Sequence, residues 1–458
     1  MSPLPPQMPS TALFTDHYEL TMLRAALASG LADRPVVFEV FARRLPFGRR
    51  YGVLAGTQRL LEAVERFTFD DADLAELRAR GIVDETTCGY LANYRFRGDI
   101  DGYAEGEAYF EYSPVLTVSG GFGECVVLET VALSILNHDS AVAAAAARMV
   151  CAAGDRPCIE MGSRRTHELS AVAAARAAYL VGFASTSNLA AGRRYGIPTT
   201  GTAAHAFTLV HGDERAAFQA QVDTLGKDTT LLVDTYDVEQ GIRTAVEVAG
   251  PDLGAIRLDS GDLREQVRFA RGLLDDLGAT NTRIVVTSDL DERMIATLAA
   301  EAVDAYGVGT SVVTGSGAPT AGFVYKLVAR EVGGVLEPVA KRSIGKISVG
   351  GRKYATRRLT AAGTAIAEVI YADPARAGAA EEPVAPRNAP PERPLMKPLI
   401  RAGEVVCRCD VQEARVRWGE SRAELPPTAM RLSAGEAALP TLSVGAHAGG
   451  PNGGVGAS

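Results

Sequence analysis

The feature that most constrains the fold is an alternation of short apolar runs and amphipathic stretches from about residue 155 to 325. The apolar runs lie in "CIEMGSRR", "YLVGFASTSN", "TTLLVDTYD", "AIRLDSGDL", "RIVVTSDLD" and "AYGVGTSVVTG", and most are followed by a segment of helical period. This order predicts βα units around a parallel sheet. Six units in series favour a (β/α) barrel, with an open doubly wound sheet as the alternative.

The two ends of the chain follow a different pattern. "TDHYELTMLRAAL" predicts a helix capped by Thr15 or Asp16, and "VVFEVFARRLP" and "VLTVSG" alternate like strands. Strand-like patches return after residue 326, so we expect both ends to form one smaller α+β domain into which the barrel is inserted. The predicted ranges are 1–130 and 326–440 for this domain, with a flexible loop near 374–394, 131–325 for the barrel, and 441–458 for a disordered tail.

Composition excludes several classes of protein. The 458 residues carry a net charge of −8, which argues against a nucleic-acid partner. We find no run of about 18 apolar residues and no basic-then-apolar order at the N-terminus, so we expect neither a membrane span nor a signal peptide. The six cysteines fit no zinc or disulfide pattern, which predicts a cytoplasmic protein with reduced thiols.

The stretch "RLDSGDL", residues 257–263, is the most informative motif. Arg257 can form paired hydrogen bonds with a carboxylate or phosphate, and Asp259 and Asp262 can hold hydroxyls or a magnesium ion. Ser260 and Gly261 lie between them, where glycine lets a ligand approach the backbone and the next helix begins. The alternative interpretation is a helix cap with a surface ion pair.

Three other strand ends carry related features. "MGSRRTHE" places Arg164 and Arg165 before a helix, "VGTSVVTG" offers backbone amides and Thr310, and "GFASTSN" adds Phe183 with hydroxyl and amide groups. Each alone is compatible with an ordinary turn. Together the four strand ends predict a ligand with several phosphates and sugar hydroxyls. The chain contains no Walker sequence, and no GxGxxG follows a strand.

The stretch "GTAAHAF", residues 201–207, places His205 among small neighbours. Such a histidine is either a structural core residue or a catalytic group at a strand end. The stretch alone does not decide between these two interpretations, so the surrounding motifs must.

The motifs together resemble those of the nicotinate phosphoribosyltransferases. The matching stretches occur in family order over residues 11 to 330 and include "TDHYELTM", "FEVFARRLPFGRRYGVLAG", "EMGSRR", "GFASTSNLAAG", "GTAAHAF", "RLDSGDL" and "GVGTSVVT". The chain departs from the family pattern at "KRSIGKISVGGRK", at Ser185 and at Ala206.

The resemblance implies a type II phosphoribosyltransferase barrel and a reaction of nicotinate with phosphoribosyl pyrophosphate, giving nicotinate mononucleotide and pyrophosphate for NAD salvage. It further implies Mg²⁺, ATP as co-substrate, a transient phosphohistidine at His205, and a homodimer with composite sites. The roles it assigns by motif are Thr202 and Arg257 beside nicotinate, Asp259 beside ribose and pyrophosphate, Thr310 on phosphoribosyl pyrophosphate, and Tyr18 of the partner chain and Phe183 on the two faces of the pyridine ring. We expect Arg164 and Arg165 to neutralise the leaving pyrophosphate. The magnesium ligands stay unknown.

Two alternatives remain at this point. One is a sibling enzyme that uses nicotinamide or quinolinate, since nothing in the sequence identifies what faces the nicotinate carboxylate. The other is a non-catalytic phosphosugar-binding barrel, against which the presence of His205, Arg257 and Asp259 argues.

Overall fold

The computed structural model describes residues 9–340, 349–372 and 390–445. The helices are α1 (His17–Ala28), α2 (Thr57–Glu65), α3 (Asp71–Ala79), α4 (Glu85–Ala92), α5 (Phe122–Val126), α6 (Glu129–Ala153), α7 (Glu168–Leu180), α8 (Leu189–Tyr195), α9 (His205–His211), α10 (Glu214–Leu225), α11 (Val238–Ala249), α12 (Leu263–Asp276), α13 (Glu292–Leu298), α14 (Thr310–Val313) and α15 (Val411–Glu424).

The strands are β1 (Pro35–Ala42), β2 (Gly52–Val53), β3 (Asp99–Tyr103), β4 (Ala108–Tyr109), β5 (Leu116–Gly121), β6 (Cys158–Glu160), β7 (Ser185–Thr186), β8 (Thr230–Leu232), β9 (Ala255–Leu258), β10 (Arg283–Val286), β11 (Ala305–Val308), β12 (Phe323–Val332), β13 (Val335–Pro338), β14 (Lys353–Leu359), β15 (Ala365–Ala372), β16 (Glu392–Pro394), β17 (Met396–Arg401), β18 (Glu404–Val405) and β19 (Thr441–Val444).

The chain divides into two compact units. The described residues up to His138 and from Thr320 onward form one, which we call the terminal unit, and Asp139–Pro319 form the other, the central unit. The domain ranges of the sequence analysis stay predictions.

The central unit is built on a six-stranded parallel sheet. Its strand order is β7-β6-β11-β10-β9-β8, and an isolated parallel bridge between Thr186 and Thr199 extends the edge beyond β7. Helices lie between most successive strands in the chain. This curled sheet with its βα connections confirms the predicted barrel class of fold.

Burial explains why these segments form a parallel sheet flanked by helices. All four residues of β9 are buried, as the strands of a parallel sheet covered on both faces must be. In α12, Leu263, Val267, Ala270 and Leu274 are buried at helical spacing, so one apolar stripe is covered while the charged face is exposed.

The terminal unit contains a seven-stranded antiparallel sheet of order β13-β12-β1-β5-β3-β17-β18. Strand β1 pairs with β5 on one side and with β12 on the other. Strand β17 likewise pairs with β3. Segments from both ends of the chain therefore share one sheet, which confirms the predicted composite α+β domain.

Three sequence predictions were wrong in detail. The sequence predicts a strand from residue 179, but Tyr179 and Leu180 end α7, Val181 is its C-cap, and the strand is only Ser185–Thr186. The predicted loop 374–394 includes strand β16, and the predicted disordered tail begins with β19, which pairs in parallel with β15. The short strands gain their hydrogen bonds from partners distant in sequence, which local composition does not reveal. The remainder of the loop and tail, 374–389 and 446–458, lies outside the described residues.

One helical stretch of the described residues, Phe122–Ala153, is long and apolar enough by length and composition to cross a membrane. About 61% of its most apolar window is buried inside the structure. A core helix of a soluble protein has the same property, so the stretch is weak evidence for a membrane span.

Candidate active site

Polar side chains collect at the carboxyl ends of the parallel strands of the central unit. Asp234 follows β8, Asp259 follows β9, Thr287 follows β10 and Thr310 follows β11. Neighbouring parallel strands end at the same edge of a sheet, where barrels of this kind carry their ligand sites. The structure therefore brings together at one edge residues that are more than 70 positions apart.

Arg257 is the centre of the most tightly connected group. Its Nε donates to the Thr287 hydroxyl at 2.8 Å, and its Nη2 donates to Asp259 Oδ1 at 3.0 Å. Its Nη1 donates to the Thr202 hydroxyl at 3.0 Å and to the Ala203 carbonyl at 3.3 Å. The guanidinium is thus held on several sides, in a side chain that is 11% exposed.

The Asp259 carboxylate is the acceptor of this group. Burial alone raises its pKa, but hydrogen bonds from Thr287 and Arg257, with the nearby His205, outweigh burial and lower the pKa below its usual value. Asp259 is consequently ionised at neutral pH, and its carboxylate stays partly exposed.

His205 is the first residue of α9, so the prediction of a strand-end position was wrong. Its Nδ1 lies 3.2 Å from the Thr235 hydroxyl, and its Nε2 lies 3.9 Å from carboxylate oxygens of both Asp234 and Asp259. The side chain is 40% exposed. A histidine with that exposure is not a core residue, which removes the structural alternative of the sequence analysis.

Asp234 is a buried carboxylate beneath the histidine. Its Oδ2 accepts from the Asp259 backbone N–H and from the Ser260 hydroxyl, both at 2.8 Å. Its Oδ1 is buried and accepts no hydrogen bond from the described residues. We call Arg257 and its surroundings, Thr202, His205, Asp234, Asp259 and Thr287, the arginine cluster.

The turn after β9 leads directly into α12. Gly261 has φ +80°, a left-handed conformation that suits glycine, and Ser260 and Gly261 are exposed. The side chain of Asp262 accepts from the backbone N–H groups of Arg264 and Glu265. For Asp262 the helix-cap interpretation is therefore correct.

A second polar group lies at the ends of β6, β7 and β11. The buried Glu160 accepts from the Gly162 N–H and from the Thr186 hydroxyl, and burial raises its pKa. Arg164 and Arg165, shortly after β6, and Thr310, shortly after its neighbour β11, are exposed at the same carboxyl edge. They are placed where an anionic ligand can reach them.

The two aromatic residues of the predicted site differ in exposure. Phe183 is completely buried in the central unit. Tyr18 belongs to the terminal unit, where it is the second residue of α1 and is 44% exposed. Burial and the neighbouring Glu129 and Glu19 raise the pKa of the Tyr18 hydroxyl, so it is protonated at neutral pH.

Sequence reasoning missed Thr287 and Thr235. Thr287 directly follows strand β10, and Thr235 directly follows Asp234. A threonine at such a position cannot be told from an ordinary surface threonine by its residue type. Two other histidines have structural roles: His167 caps α7, and His211 packs its ring on Phe207 at 4.5 Å.

Within the part of the chain that the structure describes, no group of three or more histidine, cysteine, aspartate or glutamate side chains could hold a metal ion. The two carboxylates of the arginine cluster are the acidic groups that face His205. Magnesium is commonly bound by one or two carboxylates together with phosphate oxygens, and these two carboxylates fit that donor set.

Two family descriptions match consecutive parts of the chain. Residues 13–137 match the nicotinate phosphoribosyltransferase N-terminal domain, and residues 142–316 match the quinolinate phosphoribosyl transferase C-terminal domain.

The chain is 58% identical over 448 residues to nicotinate phosphoribosyltransferase pncB1 of Mycobacterium tuberculosis, covering 96% of this chain and 97% of that protein. It is 39% identical to the nicotinate phosphoribosyltransferase of Bacillus subtilis, over 76% of this chain and 73% of the relative. Among solved structures, human nicotinic acid phosphoribosyltransferase has a TM-score of 0.78 at 26% identity, over 94% of this chain and 97% of the human chain.

Proposed function

Because the chain belongs to the nicotinate phosphoribosyltransferase family, we propose that it joins nicotinate to the ribose of phosphoribosyl pyrophosphate in NAD salvage. In this reaction the pyridine nitrogen forms a bond to the anomeric carbon while the bond from that carbon to pyrophosphate breaks. Nicotinate needs no general base, since its ring nitrogen already carries a free electron pair. The protein's task is to position the two substrates and to stabilise charge.

The observation that best supports this proposal is the arginine cluster. Arg257 is fixed by Thr202, Thr287 and Asp259, so one orientation of its guanidinium is favoured before any ligand binds. Thr202 and Arg257 would face the nicotinate carboxylate, and Asp259 would face the ribose hydroxyls. Arg164, Arg165 and Thr310, on the same edge of the sheet, would meet the phosphates.

We propose that His205 couples the reaction to ATP. The imidazole would attack the γ-phosphorus of ATP, forming an N–P bond as the P–O bond to ADP breaks, and water would later hydrolyse the phosphohistidine. The partly exposed ring at the start of α9, next to small residues, is compatible with a phosphate at this position. Phosphorylation adds up to about two negative charges, which would alter the pyrophosphate site.

Magnesium would accompany the pyrophosphate, with Asp234 and Asp259 as the protein carboxylates within reach. Bound there, the ion would neutralise charge on the leaving group. The unpartnered buried oxygen of Asp234 supports this placement, because a buried carboxylate oxygen requires a partner.

We further propose a cytoplasmic homodimer in which Tyr18 of one chain stacks on the pyridine ring bound by the other. Phe183 is proposed for the opposite face of the ring. Its complete burial means that its contact with a ligand would require neighbouring side chains to move.

The direct test is a product assay with phosphoribosyl pyrophosphate and nicotinate, nicotinamide or quinolinate, each with and without ATP. We expect nicotinate mononucleotide from nicotinate, with ATP increasing its yield. The quinolinate arm is included because residues 142–316 match the domain of that enzyme class. Comparable turnover of nicotinamide or quinolinate would contradict the substrate assignment, and absence of product from every base would favour a non-catalytic barrel.

A further inference from the structure

Thr287 connects the two charged groups at the centre of the arginine cluster. It is 3% exposed and follows β10 directly. Its hydroxyl oxygen accepts from Arg257 Nε at 2.8 Å, and its hydroxyl proton is donated to Asp259 Oδ1. A single hydroxyl therefore uses both its donor and an acceptor position between a cation and an anion.

The backbone of Thr287 is fixed by the neighbouring strand. Its N–H donates to the Leu258 carbonyl at 2.9 Å, which continues the pairing of β10 with β9. Leu258 lies between Arg257 and Asp259 in the sequence. The end of β9 therefore fixes the backbone positions of Arg257, Asp259 and, through this hydrogen bond, Thr287.

The methyl group of Thr287 is fixed from the opposite side. Gly307 of β11 lies so close that a Cβ added to it would be 2.5 Å from Thr287 Cγ2. The methyl packs over this glycine and leaves the hydroxyl on the side of Arg257 and Asp259. Both substituents of the β-carbon thus have a defined place, which favours one χ1 rotamer.

We infer that Thr287 is a positioning residue that orients Arg257 for the base substrate. Without its hydroxyl, Arg257 Nε and Asp259 Oδ1 would each lose a hydrogen bond in a largely buried place, and the guanidinium could rotate away from Thr202. This inference rests on the proposed function, because it assigns the orientation of Arg257 to the binding of nicotinate.

The kinetic test compares Thr287→Val, Thr287→Ser and a matched control. Valine keeps the methyl that packs on Gly307 and removes the hydroxyl, whereas serine keeps the hydroxyl. The control is Thr282→Val: Thr282 is 1% exposed, precedes β10 at its other end, and has a buried hydroxyl without a hydrogen-bond partner among the described residues.

We expect Thr287→Val to raise the KM for nicotinate on the order of tenfold, corresponding to the loss of one hydrogen bond to a charged group. Thr287→Ser should stay within about threefold of the wild type, and Thr282→Val should leave the KM unchanged. A purely structural role would lower the amount of active enzyme and hence the apparent kcat, without a change in KM. An unchanged KM in Thr287→Val, or an equal defect in Thr287→Ser, would overturn the inference.

A second measurement is independent of activity, and its wild-type and Thr287→Ser results do not depend on whether Thr287→Val folds. In the wild-type protein labelled with ¹⁵N-arginine, the Arg257 Nε–H should give a resonance protected from solvent exchange, assigned by its loss in Arg257→Lys. That protection should persist in Thr287→Ser and disappear in Thr287→Val. Rapid exchange of this proton in the wild type would refute the inference, whereas a wild type that forms no nicotinate mononucleotide would refute the proposed function.

Discussion

At the scale of single residues, the arginine cluster is a set of charges that are already bonded to one another. Arg257 and Asp259 form an ion pair at 3.0 Å, and Thr202 and Thr287 bind the remaining guanidinium positions. Such an arrangement needs little reorganisation when a charged substrate arrives, which is the physical basis of electrostatic stabilisation in an active site.

His205→Ala should abolish ATP hydrolysis coupled to nicotinate mononucleotide formation, because the proposed phosphate acceptor is removed. The wild-type chain incubated with γ-labelled ATP should carry an acid-labile phosphate that is absent from the variant. His211→Ala, at the other end of α9, is the control and should keep the coupling. Undiminished coupled hydrolysis in His205→Ala would contradict the role.

Glu19 provides a test of pH dependence in the terminal unit. It is completely buried and accepts hydrogen bonds from Thr15 and from the backbone and hydroxyl of Thr130. Burial outweighs these bonds and raises its pKa to about 7 from 4.5. Between these values the unfolded chain loses the proton and the folded chain keeps it, so rising pH removes stability.

We expect the free energy of unfolding of the wild type, relative to Glu19→Gln, to fall by about 3 kcal/mol from pH 4.5 to pH 8. Urea titrations can follow the fluorescence of Trp418, the single tryptophan of the chain, which is buried in this unit. Glu76→Gln, at an exposed position of α3, is the matched control for the loss of one carboxylate. A pH-independent difference for Glu19→Gln would show that the carboxyl does not titrate in this range.

At the scale of elements, two pairs of aspartates three residues apart have two different roles, one in the arginine cluster and one in capping a helix. In "DTYD" and "DSGD" the first aspartate, Asp234 or Asp259, joins the arginine cluster. The second, Asp237 or Asp262, caps the following helix, α11 or α12. The strand end directs the first carboxylate toward the site, and the orphan N–H groups of the helix bind the second.

The turn after β10 contains a strained residue. Ser288 has φ +115°, a conformation that residues with a side chain rarely adopt. Replacing it with glycine should raise the free energy of unfolding by about 1 kcal/mol, since the relief of strain exceeds the added entropy of the unfolded chain.

Calorimetry can measure this effect against Ser170→Gly, in which glycine enters helix α7 and should lower the stability by about 0.5 kcal/mol. A loss of stability in both variants would show that Ser288 is not strained in solution.

At the scale of the whole molecule, residues distant in sequence hold the terminal unit together. Arg357 of β14 is completely buried and donates to Glu368 of β15 at 3.0 Å and to the carbonyl of Ala108 in β4 at 2.8 Å. Removing one partner of such a buried pair would leave an uncompensated charge, which is strongly destabilising. Segments from both sides of the central unit therefore contribute to the buried polar contacts of this unit.

The proposed composite site predicts complementation between two defective chains. Tyr18→Ala should weaken nicotinate binding, since a stacked aromatic pair contributes roughly 0.5–1.5 kcal/mol beyond its buried area. Mixing this chain with His205→Ala under subunit exchange would give heterodimers with one intact site and one doubly damaged site. At a nicotinate concentration where each variant alone shows no coupled activity, the mixture should recover about a quarter of the wild-type value, because half of the dimers are mixed and each has one good site.

The control is the same mixture without subunit exchange, which should stay inactive. No recovery, with heterodimers demonstrated by mass spectrometry, would mean that Tyr18 and His205 serve the same chain's pocket or that Tyr18 has no part in the site.

The sequence by itself determined the alternation of strands and helices in the central unit and the strand ends that carry Arg257, Asp259 and Thr310. It could do so because burial of parallel strands and helix amphipathicity leave a periodic pattern in the local sequence. The order of the motifs likewise identified the family. Each motif is a short local stretch of glycines and charged residues at a strand end, so it can be read without knowing the tertiary structure.

Only the tertiary structure decided which of these residues touch. The bond from Thr287 to Arg257 and Asp259, the position of His205 on α9 above two carboxylates, and the pairing of Thr441–Val444 with β15 all join residues far apart in the chain. A threonine hydroxyl or a four-residue strand has no periodic signature of its own. Its role depends on the partner that folding brings within about 3 Å, and that partner is not encoded in its neighbours.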